Sequence, residues 1–391
     1  MLSVAFGNFR RWLFEDVLPL WQERGVDWLG GGFHERLDEN ACPVAGLPRR
    51  TRVVARQIYS FAAAGRMGWR GDWAGVVDHG ERALLERCLL PNGLVVSTYA
   101  VDAGPLKCGF DLYDHAFALF AMAELARHGG RADAVGKVAA KMLSAMDETY
   151  RAPVAGWRDS ADGQPRLRSN PHMHMLEAML ALESATGEEM WGKQAADIVT
   201  LAMAHFIRPE TGALHEFFDL DWVPQAGDAG KIVEPGHQFE WSWLLRRWLL
   251  RNDSAMQPVA LAAERLFRIG EEHGVNTAGF AFDEMWQDLT PKATTARAWP
   301  QTERIKACLA QAQLASSSSA AQHWEGRAAA AIEALLQFAH QKGHRGLWYD
   351  RMQPDGQPLI EAAPASSLYH IMCAAETTQE YLALSGAGAA R

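Results

Sequence analysis

The sequence is poor in cysteine. The five present, Cys42, Cys88, Cys108, Cys308 and Cys373, are far apart and never form C-x-x-C. This excludes a disulfide framework and a cysteine zinc site, and it fits a reducing cytoplasm. No Lys/Arg block of five or more occurs and the net charge is −9, so a nucleic-acid partner is not expected. Long apolar runs are also missing: no stretch of 18 uncharged apolar residues occurs. The first residues, "MLSVAFGNFRRWLFEDVLPLW", carry Arg10, Arg11, Glu15 and Asp16, unlike a signal peptide. Neither secretion nor membrane insertion is expected. No H-E-x-x-H occurs, and His172 and His174, two apart, diverge on a helix, so no metal is expected.

Apolar residues at helical spacing are abundant. In "DLYDHAFALFAMAELARHGG", Leu112, Ala116, Leu119, Phe120 and Ala123 share a stripe that Gly129-Gly130 ends. "RADAVGKVAAKMLSAMDETY" follows as a second helix. The same doubling recurs at 169–187 with 188–207, and at 236–252 with 254–273. Between these pairs lie six short segments of one kind: "GGFHERLDENACP", "NGLVVSTYAVDAGP", "AGWRDSADGQP", "GALHEFFDLDWVP", "GFAFDEMWQDLTP" and "GLWYDRMQPDGQP". Each opens on Gly and closes on Pro, and most carry Asp, which reads as short β-hairpins or extended loops. Their glycines Gly32, Gly93, Gly156, Gly212, Gly279 and Gly346 recur at near-even intervals along the whole chain.

Six units of one loop and two helices make an internal repeat of about twelve helices. An open solenoid needs polar caps. Both terminal units here keep their apolar pattern, with Phe9, Leu13 and Val17 at one end and Leu368, Ile371 and Met372 at the other. The sequence therefore predicts one all-α domain over 1–391, an (α/α)6 toroid with its loops at one end.

In such a ring every inner helix starts at the mouth of a central funnel. The segments after the six loops supply Arg56, Tyr113, His174, His237, Glu303 and His370, which follow the period of the glycines almost unit for unit. Asn170, Glu240 and Trp299 fall in the same segments. Taken singly, these residues have simpler readings. His237 with Glu240 is a helix-start pair, His370 a core histidine, Arg56 a salt-bridge partner, and Tyr113 and Trp299 core aromatics. Their convergence in one funnel makes them a site. The positive end of a helix lowers a histidine's pKa and a nearby carboxylate raises it. His237, at a helix start with Glu240 three residues on, is expected to feel both.

The residues "GGFHERLD", "ARQIYSFA", "LYDHAFAL", "NPHMHMLEA", "EPGHQFEWSWLL", "WPQTE" and "LYHI", spread over residues 31 to 371, resemble the N-acylglucosamine 2-epimerase superfamily of sugar epimerases and aldose–ketose isomerases. The "WPQTE" and "SSLYHI" forms are more similar to its mannose isomerase branch. The resemblance implies an (α/α)6 barrel and two histidine acid/base catalysts, His237 and His370, acting without metal or cofactor. It also implies sugar contacts from Arg56, Tyr113, Asn170, His174, Glu240, Trp299 and Glu303. The expected reaction interconverts an aldose such as mannose with its 2-ketose through a cis-enediol, with aldose 2-epimerisation as the alternative. Two rivals remain open. A glycoside hydrolase or lyase would draw on Asp111, Asp114, Glu240 and Glu303. A non-catalytic module would bind sugar only. A phosphorylated sugar requires a basic cluster, for which Arg52, Lys107, Arg168 and Arg297 are the candidates. The partner expected is a small sugar, and a homodimer is compatible with the sequence.

Overall fold

Gly, Pro and Asp at each junction divide the chain into helices of two kinds. The computed structural model describes residues 1–160, 166–252, 256–340 and 343–388. Among these, the long helices are α1 (Leu2–Arg11), α2 (Thr51–Arg66), α3 (Trp73–Ala83), α4 (Leu112–Arg127), α5 (Ala132–Tyr150) and α6 (Ser169–Thr186). They continue with α7 (Glu189–Leu201), α8 (Pro235–Leu249), α9 (Gln257–His273), α10 (Ala298–Gln313), α11 (Ser318–Leu336) and α12 (Leu368–Gly388). The predicted start of the ninth helix at 254 lies outside the described residues.

The even-numbered helices pack in the order α2, α4, α6, α8, α10, α12 and back to α2. They form the inner ring, and the odd-numbered helices surround it. This is the (α/α)6 toroid, closed as the apolar ends predicted. The two rings read differently in sequence. Helix α1 buries Leu2, Ala5, Phe6 and Phe9, one stripe of an outer helix. Helix α4 buries every residue except Tyr113 and Arg127. The stripe read from its sequence therefore understates its burial, because an inner helix touches two ring neighbours and the outer layer. No described helix is long and apolar enough to cross a membrane.

The loops form a belt around one end. In five units the closing proline pairs antiparallel with the residue six before it: Leu37 with Pro43, Tyr99 with Pro105, Phe218 with Pro224, Met285 with Pro291 and Met352 with Pro358. Pro165 of the third unit lies outside the described residues. These are the predicted tight hairpins. The loops also pair between units, which the sequence did not suggest. Arg49–Arg50 lies against Thr98–Ala100, Leu167–Arg168 against Phe217–Phe218, Ile232–Val233 against Glu284–Trp286, and Ala296–Arg297 against Arg351–Met352. Asp111 bridges Ser160. The belt closes where Arg36–Leu37 pairs with Ala363–Pro364.

Five of the six repeat glycines have φ between 71° and 92°, a region costly for other residues. Gly346 does not. It is needed for another reason, since a Cβ there would collide with the Asp16 carbonyl oxygen. At that point the sixth loop packs onto the helical turns that continue the first outer helix from Trp12 to Gly25. Trp21 donates its Nε1–H to the Gly346 carbonyl at 3.1 Å and stacks on Trp348 with ring centroids 4.8 Å apart.

Candidate active site

Each inner helix begins at or within a few residues of the belt, so its first turns face the funnel. Adjacent residues there divide the work. One points inward, and the next reaches outward to strap its own loop. Val95 N donates to His115 Nε2, Trp157 N to His172 Nε2, Leu214 N to Gln238 Oε1 and Ala281 N to Gln301 Oε1, at 2.9 to 3.1 Å. His172 is thus a structural strap, and burial takes its pKa down to about 4.

The inward residues enclose a cavity of about 250 Å³. Eight of the nine predicted site residues line it: Arg56, Tyr113, Asn170, His174, His237, Glu240, Trp299 and His370. Glu303 does not. It lies behind His370, with Oε1 2.9 Å from His370 Nδ1 and Oε2 2.5 Å from Lys306 Nζ. Its position is that of a group that orients a histidine. Arg36, Arg50, Glu234, Asp350 and Ser366, none of them predicted, also face the cavity, as does Arg297 of the four candidate cations. Trp299 lies between the two histidines, with ring centroids 5.1 Å from His237 and 5.6 Å from His370. Arg56 Nη2 donates to the Tyr113 hydroxyl at 2.5 Å and Nη1 to the Ser366 carbonyl at 3.2 Å.

The carboxylate partner of His237 is not Glu240. His237 Nδ1 lies 2.9 Å from Glu216 Oε2 and 3.8 Å from Glu234 Oε2. Burial works to lower the His237 pKa, but Glu216 and Glu234 outweigh it, and the imidazole is pushed up to about 9. This corrects the expectation of a balance between the helix start and Glu240. The loop acid decides the charge, and His237 is a cation at neutral pH. An imidazolium donates from both nitrogens, and its Nε2 lies 3.1 Å from the Asn170 side-chain amide. Turning that amide so that Oδ1 faces Nε2 gives His237 its acceptor. It also satisfies Oδ1, which is otherwise buried without a partner.

His370 has the opposite character. Burial, reinforced by Arg56, Lys306 and His174, holds its pKa well below the usual value, so it is neutral. His174 is likewise lowered by burial, to about 4, with Nδ1 3.3 Å from Glu177. Glu240 is fully buried with both oxygens unbonded. Burial and Glu303 raise its pKa well above the ordinary carboxylate value. The cavity thus contains a cationic histidine, two neutral ones and a carboxyl whose pKa is raised.

Three groupings, His174/Glu177/Glu240, Glu216/Glu234/His237 and Glu240/Glu303/His370, have nitrogen and oxygen atoms within 4.8 Å of one another. In each, one histidine Nδ1 is already engaged by a glutamate. Such pairing orients imidazoles for proton transfer. Asp111 and Asp114, the acids a hydrolase would borrow, are instead held by Arg52, at 3.5 and 2.7 Å.

Glu216→Gln tests the charge of His237. The variant is expected to move the alkaline limb of kcat/KM from about pH 9 down toward the ordinary histidine range, roughly 6.5. A pH profile that keeps its alkaline limb would separate Glu216 from the His237 charge.

Residues 31–374 match the pattern of the N-acylglucosamine 2-epimerase (GlcNAc 2-epimerase) family. The chain belongs to this family. It is 40% identical over 380 residues to a mannose-6-phosphate isomerase of Rhizobium meliloti, covering 95% of this chain and 96% of that one. A D-mannose isomerase of Thermobifida fusca is 27% identical, with 83% of each chain covered. Among solved structures, a cellobiose 2-epimerase from Bacillus thermoamylovorans superposes with a TM-score of 0.85 at 18% identity, over 97% of this chain and 100% of that one. The protein is a sugar isomerase or epimerase.

Proposed function

We propose that the protein interconverts mannose and fructose by transfer of one proton between C2 and C1, without metal or cofactor. The observation that carries this reading is the asymmetry of the two histidines. His370 is neutral, with Nδ1 engaged by Glu303 and Nε2 left as base. His237 is cationic, anchored on Glu216 and beside Asn170. One base and one acid suit transfer on a single face of the sugar. Epimerisation at C2 needs two proton carriers on opposite faces.

On the open-chain aldose, His370 Nε2 takes the C2 proton. The C–H electrons form the C1=C2 bond, and the carbonyl electrons go to O1, which takes a proton from His237. This gives the cis-enediol. Arg56 stabilises the negative charge developing on oxygen. His370 then returns its proton to C1, and the O2 proton passes to His237 as C2=O forms. The indole of Trp299 offers an apolar face to the sugar C–H groups. The Glu240 carboxyl, whose oxygens bond no protein group, donates to and accepts from hydroxyls.

The substrate is taken as the free hexose because the candidate rim cations are already engaged. Arg297 is held by Asp283 and Glu234, Arg50 by Glu35, and Arg36 donates to the Ala362 carbonyl, while Arg52, Arg168 and Lys107 do not line the cavity.

The test is NMR of mannose, glucose, N-acetylglucosamine, cellobiose and mannose 6-phosphate incubated in D2O with the protein. Deuterium at C1 of newly formed fructose is expected. Deuterium at C2 of an epimeric aldose would replace isomerisation by epimerisation. Faster turnover of mannose 6-phosphate than of mannose would move the substrate to the phosphate ester and leave the reaction intact.

A further inference from the structure

Lys306 is fully buried on the inner helix α10. Burying an unpaired cation is costly, and an apolar residue fills such a place at lower cost. Its surroundings show what it is paired with. Nζ lies 2.5 Å from Glu303 Oε2, 3.6 Å from Cys373 Sγ and 3.9 Å from the centre of the Trp243 ring. The other Glu303 oxygen meets His370 Nδ1 at 2.9 Å. Lysine, carboxylate and imidazole thus form one line ending at the cavity.

The corresponding line on the other side lacks its cation. Glu216, behind His237, is bonded by the Ser169 hydroxyl and the Glu234 N–H, and no Lys or Arg contacts it among the described residues. The two histidine–glutamate pairs thus differ in the lysine behind the glutamate, as well as in Glu234 beside His237 and Arg56 near His370, and they carry different charge.

We propose that Lys306 is a positioning residue for proton transfer: it holds Glu303 as an anion, which fixes the His370 proton on Nδ1 and leaves the Nε2 lone pair facing the sugar. Without the cation, two outcomes compete. Glu303 takes up a proton and donates it to Nδ1, leaving His370 protonated on Nε2, the wrong tautomer for a base. Alternatively Glu303 stays anionic, and its uncancelled charge favours imidazolium. Both require a higher pH to recover the free base. Burial raises the Glu303 pKa and Lys306 opposes that rise. Lys306 itself is raised despite burial, so it stays charged. The other groups facing His370 are Arg56 on α2, His174 and Glu177 on α6, and Glu240 on α8, with Tyr369 and Cys373 on its own helix. None of these contacts Glu303 Oε2 as Lys306 does.

This inference rests on the proton-transfer reading above. The experiment is the pH profile of sugar turnover in Lys306→Met, Lys306→Arg and the double variant Lys306→Met/Glu303→Gln. Lys306→Met is expected to shift the acid limb of kcat upward by about one pH unit, a roughly 10-fold loss on that limb, with KM little changed. Lys306→Arg keeps the limb in place, and the double variant returns it toward the wild-type position. An unmoved limb in a folded Lys306→Met protein overturns the proposal. So does a fall in melting temperature with activity unchanged, which is what a packing role alone would give. A measurement that needs no folded Lys306→Met is 15N NMR of histidine-labelled wild type, with His370 assigned by its loss in His370→Asn. The Nδ1–H tautomer is expected, and an Nε2–H signal overturns the proposal. If the tautomer is as stated and no sugar exchanges deuterium, the functional reading fails and only the Nδ1–H tautomer set by the Lys306–Glu303 line stands.

Discussion

His370→Asn is expected to lower kcat for mannose–fructose interconversion by about 10²- to 10⁴-fold. The reason is local. Asn fills most of the imidazole volume and can still hydrogen-bond Glu303, so packing behind the cavity is kept. What disappears is the nitrogen lone pair that removes the C2 proton. KM should change little, because Arg56, Tyr113, Trp299 and Glu240 remain to hold the sugar. Exchange of the C2 proton with D2O should fall in parallel with turnover, since both pass through the same proton transfer. His237→Asn should behave differently. It removes the acid that serves O1 and O2, so turnover falls while some slow C2 exchange survives. A His370→Asn protein with more than a tenth of wild-type kcat would remove His370 from the reaction.

The second large effect concerns the ring itself. Trp21→Ala is expected to cost about 3–5 kcal/mol of unfolding free energy, the range for truncating a buried tryptophan. Trp21 is 1% exposed and ties the first outer helix to the sixth loop by its stack on Trp348 and its bond to the Gly346 carbonyl. Trp21→Phe keeps a ring against Trp348 and loses the indole N–H, so a smaller loss of about 1 kcal/mol is expected. Equilibrium urea unfolding of the two variants measures both. A loss below about 1 kcal/mol for Trp21→Ala would show that the seam between the ends contributes little to stability.

The toroid was legible because its punctuation repeats. Gly, Pro and a loop acid return at near-even spacing, and the helices between them are apolar enough to be unmistakable. Eight residues that line the cavity were legible for the same reason, since each lies in the first two turns of an inner helix. Glu216 was missed although its signal was present. The loop position a few residues after each repeat glycine reads Glu35, Ser97, Asp159, Glu216, Asp283 and Asp350, with the same near-even period. In three units this acid is held by the arginine just before the inner helix: Glu35 by Arg50, Asp159 by Arg168 and Asp283 by Arg297. In the fourth unit that preceding residue is Glu234. With no arginine to hold it, Glu216 turns to His237. The departure from the repeat marks the partner of His237, and aligning the units by loop acid as well as by glycine would have found it.

The line from Lys306 through Glu303 was less accessible. Both lie on an inner helix three apart, where the pair resembles any surface i,i+3 ion pair. Only the burial of α10 on all sides turns that spacing into a charged line behind a histidine. Inter-unit strand pairing was invisible for a different reason. Two-residue strands carry no alternation to read. Their partners sit in the next unit, as Leu167 with Phe218, or, at the seam, at opposite ends of the chain, as Arg36 with Pro364.

That seam bears on how the molecule folds. Helical hairpins form from near neighbours and need little loop closure. The last contacts, Trp21 with Gly346 and Arg56 with Ser366, join residues 325 and 310 positions apart. Such distant pairings carry the largest chain-entropy cost and form late. An open ring already has most of its helices, yet His370 is not yet set against Arg56 and the funnel has a missing wall. Catalysis therefore reports closure of the circle, and refolded chains regain activity only with the slowest packing step.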